Sequence, residues 1–319
     1  MGKGYDQDVV NTMIRARRDS SLKLYSTYIE QWKNYCLLQH SHYIFASVTT
    51  GLAFLQTLLI KGIGYSALNT ARSALSSIIT LDNGQPFGQH QDVRLYMKGA
   101  FNMRPPKPRY LSTWDPSIVL DFLQTWYPAQ DLHIDKLVMK VALLIMLVTG
   151  QRPQLLSRLR LDNLRTTENT LEFALEALDL KHSRLNFPPQ AVVLRRFTAN
   201  PEVCVFRYLQ EYLQRTAIIR KDIQFVFLTT TKPYRVASAN TISRWLKTAL
   251  QQAGVDITYF SAGSSRSAST SAAKKAGMPI DQILKAGGWS QQTTFTKFYD
   301  RQVGAGSFEE TILSQATGV

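Results

Sequence analysis

A proline-rich, basic segment one third of the way along the chain restricts the folds available to it. The segment RPPKPRYLSTWDP, residues 104–116, contains four prolines and three basic residues. Proline lacks a backbone N–H and biases the residue before it away from helix, so this stretch is expected to be extended. We predict a linker at 105–116 between domains at 1–104 and 117–319, and a length of 319 residues agrees with two domains.

Residues 7–105 have the periodicity of several helices with short connections. One apolar face recurs every four residues: Leu24, Tyr28, Trp32 and Cys36. Residues 19–21 (DSS) precede this face and are expected to cap its helix. Further helices are predicted at 49–59 and 66–81, separated by the turn KGIG at 61–64. The N-terminal domain is therefore predicted to be all α.

The second half has mixed periodicity. A helix is predicted at 116–125, and a buried one at 134–148 that ends at Gly150, followed by a short helix from Pro153. Two β-prone runs, 171–180 and 191–197, flank a long loop. The remaining predictions are a strand at 224–229 and helices at 240–253, 264–276, 280–286 and 292–301. The fold class expected is α+β, mostly α, with a small β-sheet in the second domain.

Charge and apolar content narrow the possible partners and compartments. The formal net charge is +14, which favours a polyanionic partner such as nucleic acid. Cys36 and Cys204 lie in apolar surroundings and are expected to be buried thiols of a reducing compartment. The most apolar run, 138–148, contains Lys140 and is far shorter than a membrane span. We expect no membrane partner and an intracellular location, nuclear if the host is eukaryotic.

Five short motifs occur in order along the second half: TGQRP (149–153), LDLKHSR (178–184), FSAGSSRSAST (260–270), AGGWS (286–290) and TTFTKFYDR (293–301). In this order and spacing they resemble the tyrosine recombinase (phage-integrase-like) family. The resemblance places these residues in the catalytic positions: Arg152, Lys181, Arg266, Trp289 and Tyr299. The segments RYLSTWD (109–115) and TTFTKFY (293–299) are similar to segments in the recombinases of DIRS-type retroelements and their relatives.

The resemblance also implies an architecture and partners. It covers essentially the whole chain and makes the helical half a core-binding domain and the mixed half a catalytic domain. The two would clamp duplex DNA. Recombination of two duplexes implies a homotetramer, in which the C-terminal tail, with Phe308, Ile312 and Leu313 at helical spacing, would dock on a neighbouring subunit.

The residue types also suit the chemistry independently of any family. Transesterification of a phosphodiester without a metal needs a nucleophile, cations for the non-bridging oxygens and an acid for the leaving oxygen. Tyr299 can attack, Arg152 and Arg266 can hold the phosphate with planar guanidinium groups, and Lys181 can protonate the leaving group. No acidic cluster in the sequence suggests a metal site, and we expect no cofactor.

Two positions depart from the family pattern. Gly263 stands where the family has histidine, three residues before Arg266, and Leu155 stands where many members have an acidic residue. None of the five histidines occupies position 263: His40, His42, His90, His133 and His182. Loss of a general acid–base group typically costs roughly 10²–10⁴ in rate. A slowed enzyme, a DNA-binding descendant that no longer cuts, and a deliberately altered sequence all remain open.

Other interpretations are available for the same residues. Tyr299 would be a packing residue next to Phe295. Arg152 would pair with Asp162, and Trp289 would belong to the core. On the functional side, the alternatives are a non-catalytic, sequence-specific DNA-binding protein on this scaffold, a strand transferase of the type IB topoisomerase kind, and a helical scaffold that binds no DNA.

The basic linker generates a test of DNA binding. We predict that Arg104, Lys107 and Arg109 contact phosphates, so replacing all three by alanine weakens affinity for every DNA sequence alike. The slope of log affinity against log salt should fall by roughly 0.9 for each phosphate that the protein no longer neutralises. Binding titrations at several salt concentrations measure this slope, and an unchanged slope would contradict the assignment.

Overall fold

Residues 6–176 and 190–304 are described by a computed structural model, in which the chain divides into two units, Met1–Pro108 and Arg109–Val319. The described part of the first unit contains five α-helices: α1 (Gln7–Ile14), α2 (Asp19–Leu38), α3 (Val48–Ile60), α4 (Tyr65–Leu75) and α5 (Gln91–Met103). The core of this unit forms around Trp32, which packs on Tyr35 and Phe54 and donates its indole N–H to the Tyr43 carbonyl at 2.9 Å. The first unit is all α, as predicted.

Two details of the helical predictions are wrong. Helix α2 begins at Asp19, with Arg18 at the N-cap, so residues 19–21 form its first turn instead of capping it. Helix α4 ends at Leu75 and does not reach residue 81. The hydroxyls of Ser76 and Ser77 bond back to the carbonyls of Arg72 and Ala74, a local alternative that competes with continued helix.

The second unit surrounds one buried helix. Its described helices are α6 (Pro116–Gln124), α7 (Ile134–Thr149), α8 (Pro153–Leu156), α9 (Val205–Arg220), α10 (Ala239–Gln252), α11 (Ser264–Lys275), α12 (Ile280–Gly287) and α13 (Gln292–Phe298). Helix α7 is buried on every side from Leu137 to Leu147 and packs against α9, α10 and α11, as expected for a helix at the centre of a core. No helix in the described ranges is both long and apolar enough to cross a membrane.

Two small sheets complete the second unit. The strands described are β1 (Ser112–Thr113), β2 (Leu164–Thr166), β3 (Thr170–Leu175), β4 (Gln190–Arg195) and β5 (Gln302–Val303). Strands β2, β3 and β4 form an antiparallel sheet in which Phe173 faces Val192 on the buried side, and β1 pairs in parallel with β5. A mostly helical fold with small sheets is thus confirmed.

Several sequence predictions in this unit need correction. Residues 224–229 are not a strand, because they make only single bridges, Arg160 to Phe225 and Leu228 to Val236. The helix after Pro153 has a single turn, and α13 ends at Phe298 instead of residue 301. Helix α9 was not predicted at all. The strand expected to reach residue 180 ends at Leu175, and residues 177–189 lie outside the described part of the chain.

Helix α7 carries one buried cation. The Lys140 ammonium donates to the carbonyls of Leu123 and Trp126 at 2.6 and 2.7 Å and lies 3.8 Å from the centre of the Tyr208 ring. Burial lowers the pKa of Lys140 to about 7, partly opposed by the negative charge of Glu202. The lysine therefore provides a donor to the Leu123 and Trp126 carbonyls, at the end of α6 and just beyond it.

The lowered pKa of Lys140 predicts a pH-dependent stability. Between about 7 and the ordinary value of 10.5, the unfolded chain holds the lysine proton that the folded chain releases. Raising the pH in this window therefore favours the folded state, by up to one proton per chain. The free energy of unfolding of the native protein should rise with pH relative to that of Lys140→Met, measured by denaturant titration. Parallel pH curves for the two proteins would contradict this.

Candidate active site

Arg266 lies at the centre of the candidate site, on the first turn of α11. Its side chain is only 2% exposed. Nη1 donates to the carbonyl of Gly150 and Nη2 to the carbonyl of Gly287, each at 2.7 Å. Burial, and after it the positive charge of Arg152, lower the pKa of Arg266 to about 10, against the opposing effect of Tyr299. The guanidinium group is thus held rigidly by two backbone carbonyls.

The small polar residues of α11 make this burial possible. The sequence SSRSASTS, residues 264–271, is almost wholly buried although it is polar. Its hydroxyls bond to carbonyls one turn earlier, as Ser267 does to Ser264 and Thr270 to Arg266. Because these groups satisfy one another within the helix, a narrow helix can pack closely on α7 and carry Arg266 into the interior.

Arg152 follows the turn that ends α7. Gly150 adopts a left-handed conformation with φ of +58°, and a Cβ atom there would lie 3.0 Å from the Thr270 methyl. Arg152 is extended ahead of Pro153, the first residue of α8, and is half-buried. Among the described residues it has no hydrogen-bond or ion-pair partner. The expected pairing with Asp162 is wrong, since Asp162 pairs with Arg160.

Trp289 lies directly against the guanidinium group of Arg266. The Arg266 Cζ atom is 3.9 Å from the centre of the indole, a cation–π contact. The ring packs with Ile283 and Phe295 in a small separate core and is 8% exposed. Its Nε1 has no hydrogen-bond partner among the described residues, and neither has Nε of Arg266.

Tyr299 completes the cluster from the end of α13. Its ring centre lies 4.7 Å from that of Trp289 and 4.9 Å from the Arg266 Cζ atom. Its carbonyl accepts a hydrogen bond from the Ser271 hydroxyl at 2.6 Å, and the same hydroxyl accepts from the backbone N–H of Arg301. Because α13 ends at Phe298, Tyr299 is the residue at which the chain leaves the helix. The half-buried side chain is anchored to α11 through its backbone.

Gly263 stands one residue before α11, at its N-cap. A Cβ atom at this position would meet only the Ser261 hydroxyl, at 3.7 Å. The loop before it is held by Tyr110, whose hydroxyl accepts from the Ser261 N–H at 2.8 Å and lies 2.9 Å from the Ser261 hydroxyl. Trp114 donates to the Ser264 hydroxyl. The sequence did not predict these contacts, although both aromatics occur in the RYLSTWD motif.

The remaining predicted residues are not all in this cluster. Lys181 and the tail after residue 304 lie outside the described residues. Arg104 ends α5 and donates to the Leu59 carbonyl at 2.7 Å, and the Arg109 guanidinium lies 5.4 Å from the Tyr110 ring centre. Leu155, at the position that is acidic in many members, is a buried core residue. Within the described ranges no group of histidine, cysteine or carboxylate side chains could hold a metal ion.

Comparison with known proteins places this geometry in a family. A phage integrase family model matches residues 120–303, more than half of the chain, whereas no curated protein sequence matches it. A lambda integrase dimer bound to a COC′ core site aligns with a TM-score of 0.55 and 15% identity over 93% of this chain and 77% of that one. XerH recombinase bound to difH substrate aligns at 0.51 and 13% over 86% and 70%. The Tn1549 transposon integrase with circular intermediate DNA aligns at 0.50 and 14% over 92% and 98%.

At identities of 13–15%, the similarity to these solved structures shows a shared fold only. The family assignment rests on the residues that the family model matches. They include the end of α7 with Arg152, the helix that carries Arg266, and the turn and helix that carry Trp289 and Tyr299. The chain therefore belongs to the phage integrase family of tyrosine recombinases.

Proposed function

We propose that this protein is a site-specific DNA recombinase that cleaves and rejoins strands through a 3′-phosphotyrosyl intermediate on Tyr299. The observation that carries the proposal is the cationic cluster around the tyrosine. Arg152 and Arg266 are close enough for one charge to lower the pKa of the other, and no described carboxylate pairs with either. Two like charges held so close together repel each other, and an anion bound between them would offset this repulsion.

Two unpartnered donors in the same cluster also support the binding of an anion. Nε of Arg266 and Nε1 of Trp289 are buried without a hydrogen-bond acceptor among the described residues. A buried donor left unsatisfied costs about 1–3 kcal/mol, more for a charged group, so a ligand oxygen here would remove a standing penalty. A scissile phosphate supplies negative oxygens, and guanidinium groups are suited to bind them in pairs.

The reaction we propose combines this cluster with Lys181, whose role is the one that the family resemblance implies. The Tyr299 phenol gives its proton to solvent water as its oxygen attacks the phosphorus, the bond to the 5′ oxygen breaks, and Lys181 delivers the proton that makes the leaving group a 5′-hydroxyl. Arg152 and Arg266 stabilise the charge that develops on the non-bridging oxygens. Attack by a 5′-hydroxyl of a partner strand then reverses these steps and releases Tyr299.

The proposal also includes the binding partners of this protein. Double-stranded DNA is the substrate, which the DNA complexes of lambda integrase, XerH and the Tn1549 integrase support by analogy of fold. A homotetramer on two DNA sites, with the C-terminal tail docked in trans, would carry out recombination. We also propose the relation to recombinases of DIRS-type retroelements. A type IB topoisomerase-like enzyme would act as a monomer on one duplex, so oligomeric state on DNA distinguishes the two reactions.

Gly263 favours one further candidate, a DNA-binding protein that no longer cuts. Among the described residues, only the Ser261 hydroxyl lies within 4 Å of a Cβ atom at Gly263, so none of them places an imidazole there to accept the tyrosine proton. Incubation with genomic or element-end DNA, followed by a denaturing gel, separates the two candidates. A covalent adduct that is absent in Tyr299→Phe supports the recombinase, and DNA binding without any adduct supports the alternative.

The first site prediction concerns the phosphate clamp. Arg152→Ala removes a guanidinium group that has no described protein partner, so the fold should tolerate it. Loss of one charge-stabilising donor typically costs about 10²–10³ in rate, and we expect adduct formation to fall by this factor with DNA affinity largely retained. Arg160→Ala, which removes a surface partner of Asp162, is the matched control. A collapsed thermal transition in Arg152→Ala would point to a structural role instead.

Arg266 needs a different treatment because it is part of the core. Arg266→Ala should abolish adduct formation and also lower the melting temperature, since the carbonyls of Gly150 and Gly287 lose their donors. The two variants together separate binding of the phosphate from support of the fold. Full cleavage by either variant would contradict the proposal that Arg152 and Arg266 hold the scissile phosphate.

The second site prediction concerns Gly263. Gly263→His supplies the missing imidazole into open space, and we expect adduct formation to rise by roughly 10²–10⁴-fold. The φ of Gly263 is −74°, which any residue can adopt, and a Cβ atom there meets nothing closer than 3.7 Å, so thermal stability should change little. Gly263→Ala adds a methyl group without a proton acceptor and is the control. Equal adduct yields from the two variants would show that position 263 is not the chemical deficit.

A further inference from the structure

Gly287, the last residue of α12, lies under the ring of Trp289 with no space for a side chain. A Cβ atom at Gly287 would lie 2.1, 2.3 and 2.7 Å from Cζ3, Cε3 and Cη2 of the indole. Real Cβ atoms do not approach other atoms so closely, so the methyl group of an alanine would displace the ring. Glycine is required here for space and not for backbone conformation, in contrast to Gly288, whose φ is +65°.

The ring has little freedom to move aside. Trp289 is 8% exposed and packs against Phe295, with ring centres 5.5 Å apart, and against Tyr299 at 4.7 Å. Its third neighbour is the Arg266 guanidinium, 3.9 Å from the indole centre. A displaced indole would therefore push against the nucleophile or against the central arginine.

Gly287 is also bonded to the same arginine. Its carbonyl accepts from Nη2 of Arg266 at 2.7 Å, while its missing side chain admits the indole that covers that guanidinium group. The neighbouring Ala286 carbonyl accepts from the Gln151 side chain at 2.8 Å, beside Arg152. The end of α12 thus lies at the junction of three segments that supply the cluster.

We propose that Gly287 is a positioning residue of the active site, whose lack of a side chain sets Trp289 flat over Arg266 and next to Tyr299. The inference rests on the proposed function for its effect on catalysis, but its geometric part stands separately. Gly287 itself contacts no reacting atom. It acts by deciding where the indole and the guanidinium lie.

A double-mutant cycle with Trp289→His tests the catalytic effect. Imidazole lacks the six-membered part of the indole, which is the part that a Cβ atom at 287 would meet. Gly287→Ala in the otherwise native chain should lower phosphotyrosyl adduct formation by about tenfold or more, because a displacement of about 1 Å in a site can cost up to 10²-fold. In the Trp289→His background the same alanine should have almost no further effect. An equal loss in both backgrounds would overturn the proposal.

An NMR measurement on the full-length chain gives a readout that does not depend on cleavage. The chain contains five tryptophans, and the indole N–H signal absent in Trp289→His identifies Trp289. Gly287→Ala should shift this signal and leave the four others in place. The matched control is Gly99→Ala in α5, where a Cβ atom meets nothing within 4 Å, and it should shift none. An unmoved Trp289 signal in Gly287→Ala would overturn the proposal.

Failure to fold and failure of the proposed function have distinct signatures. If Gly287→Ala alone unfolds because of the clash, the double variant Gly287→Ala/Trp289→His should regain a cooperative thermal transition, and its continued absence would count against the proposal. If no variant forms an adduct while the indole signal still moves, the proposed reaction fails but the positioning by Gly287 is upheld.

Discussion

The buried guanidinium group of Arg266 is the interaction on which the second unit depends. Its two bonds go to Gly150, just after the last residue of α7, and to Gly287, the last residue of α12. Carbonyls at helix C-termini have no intrahelical donor and carry the negative end of the helix dipole. One cation therefore satisfies two helix ends at once and joins α7, α11 and α12. This is why a charge without a described counter-ion can be buried here.

In the proposed reaction, the same arrangement would prepare the site for a phosphate. Because the carbonyls already hold Arg266, the guanidinium needs no reordering when an anion arrives, and preorganised charge is the most effective kind in catalysis. Trp289 covers one face of the group and keeps water from it. Arg152, half-buried and without a described partner, adds a second cation from the adjacent turn.

Gly263 lies in a well-supported part of the fold but lacks the side chain that the family pattern predicts for the reaction. The loop before it is held by Tyr110, and Trp114 bonds to the first residue of α11, so the backbone around the missing side chain is well supported. Leu155 shows the opposite situation, since its side chain is buried and integrated in the core. Position 155 is thus part of the core, whereas position 263 is open and lies next to an ordered helix.

The sequence alone predicted the helical first half, the central helix that ends at Gly150, and the order of the motifs with Arg152, Arg266, Trp289 and Tyr299, because periodicity and motif spacing are local properties. The sequence did not predict the features that depend on contacts with neighbouring segments. Residues 224–229 have strand-like composition but no adjacent strand to form a ladder, and α9 has a burial pattern set by the helices around it. The burial of the polar helix α11, and the stacking of Trp289 on Arg266 over a glycine, depend on contacts between segments distant in the chain. Only the tertiary structure brings these segments together, since the free energy of burying a charge is determined by its surroundings and not by its place in the sequence.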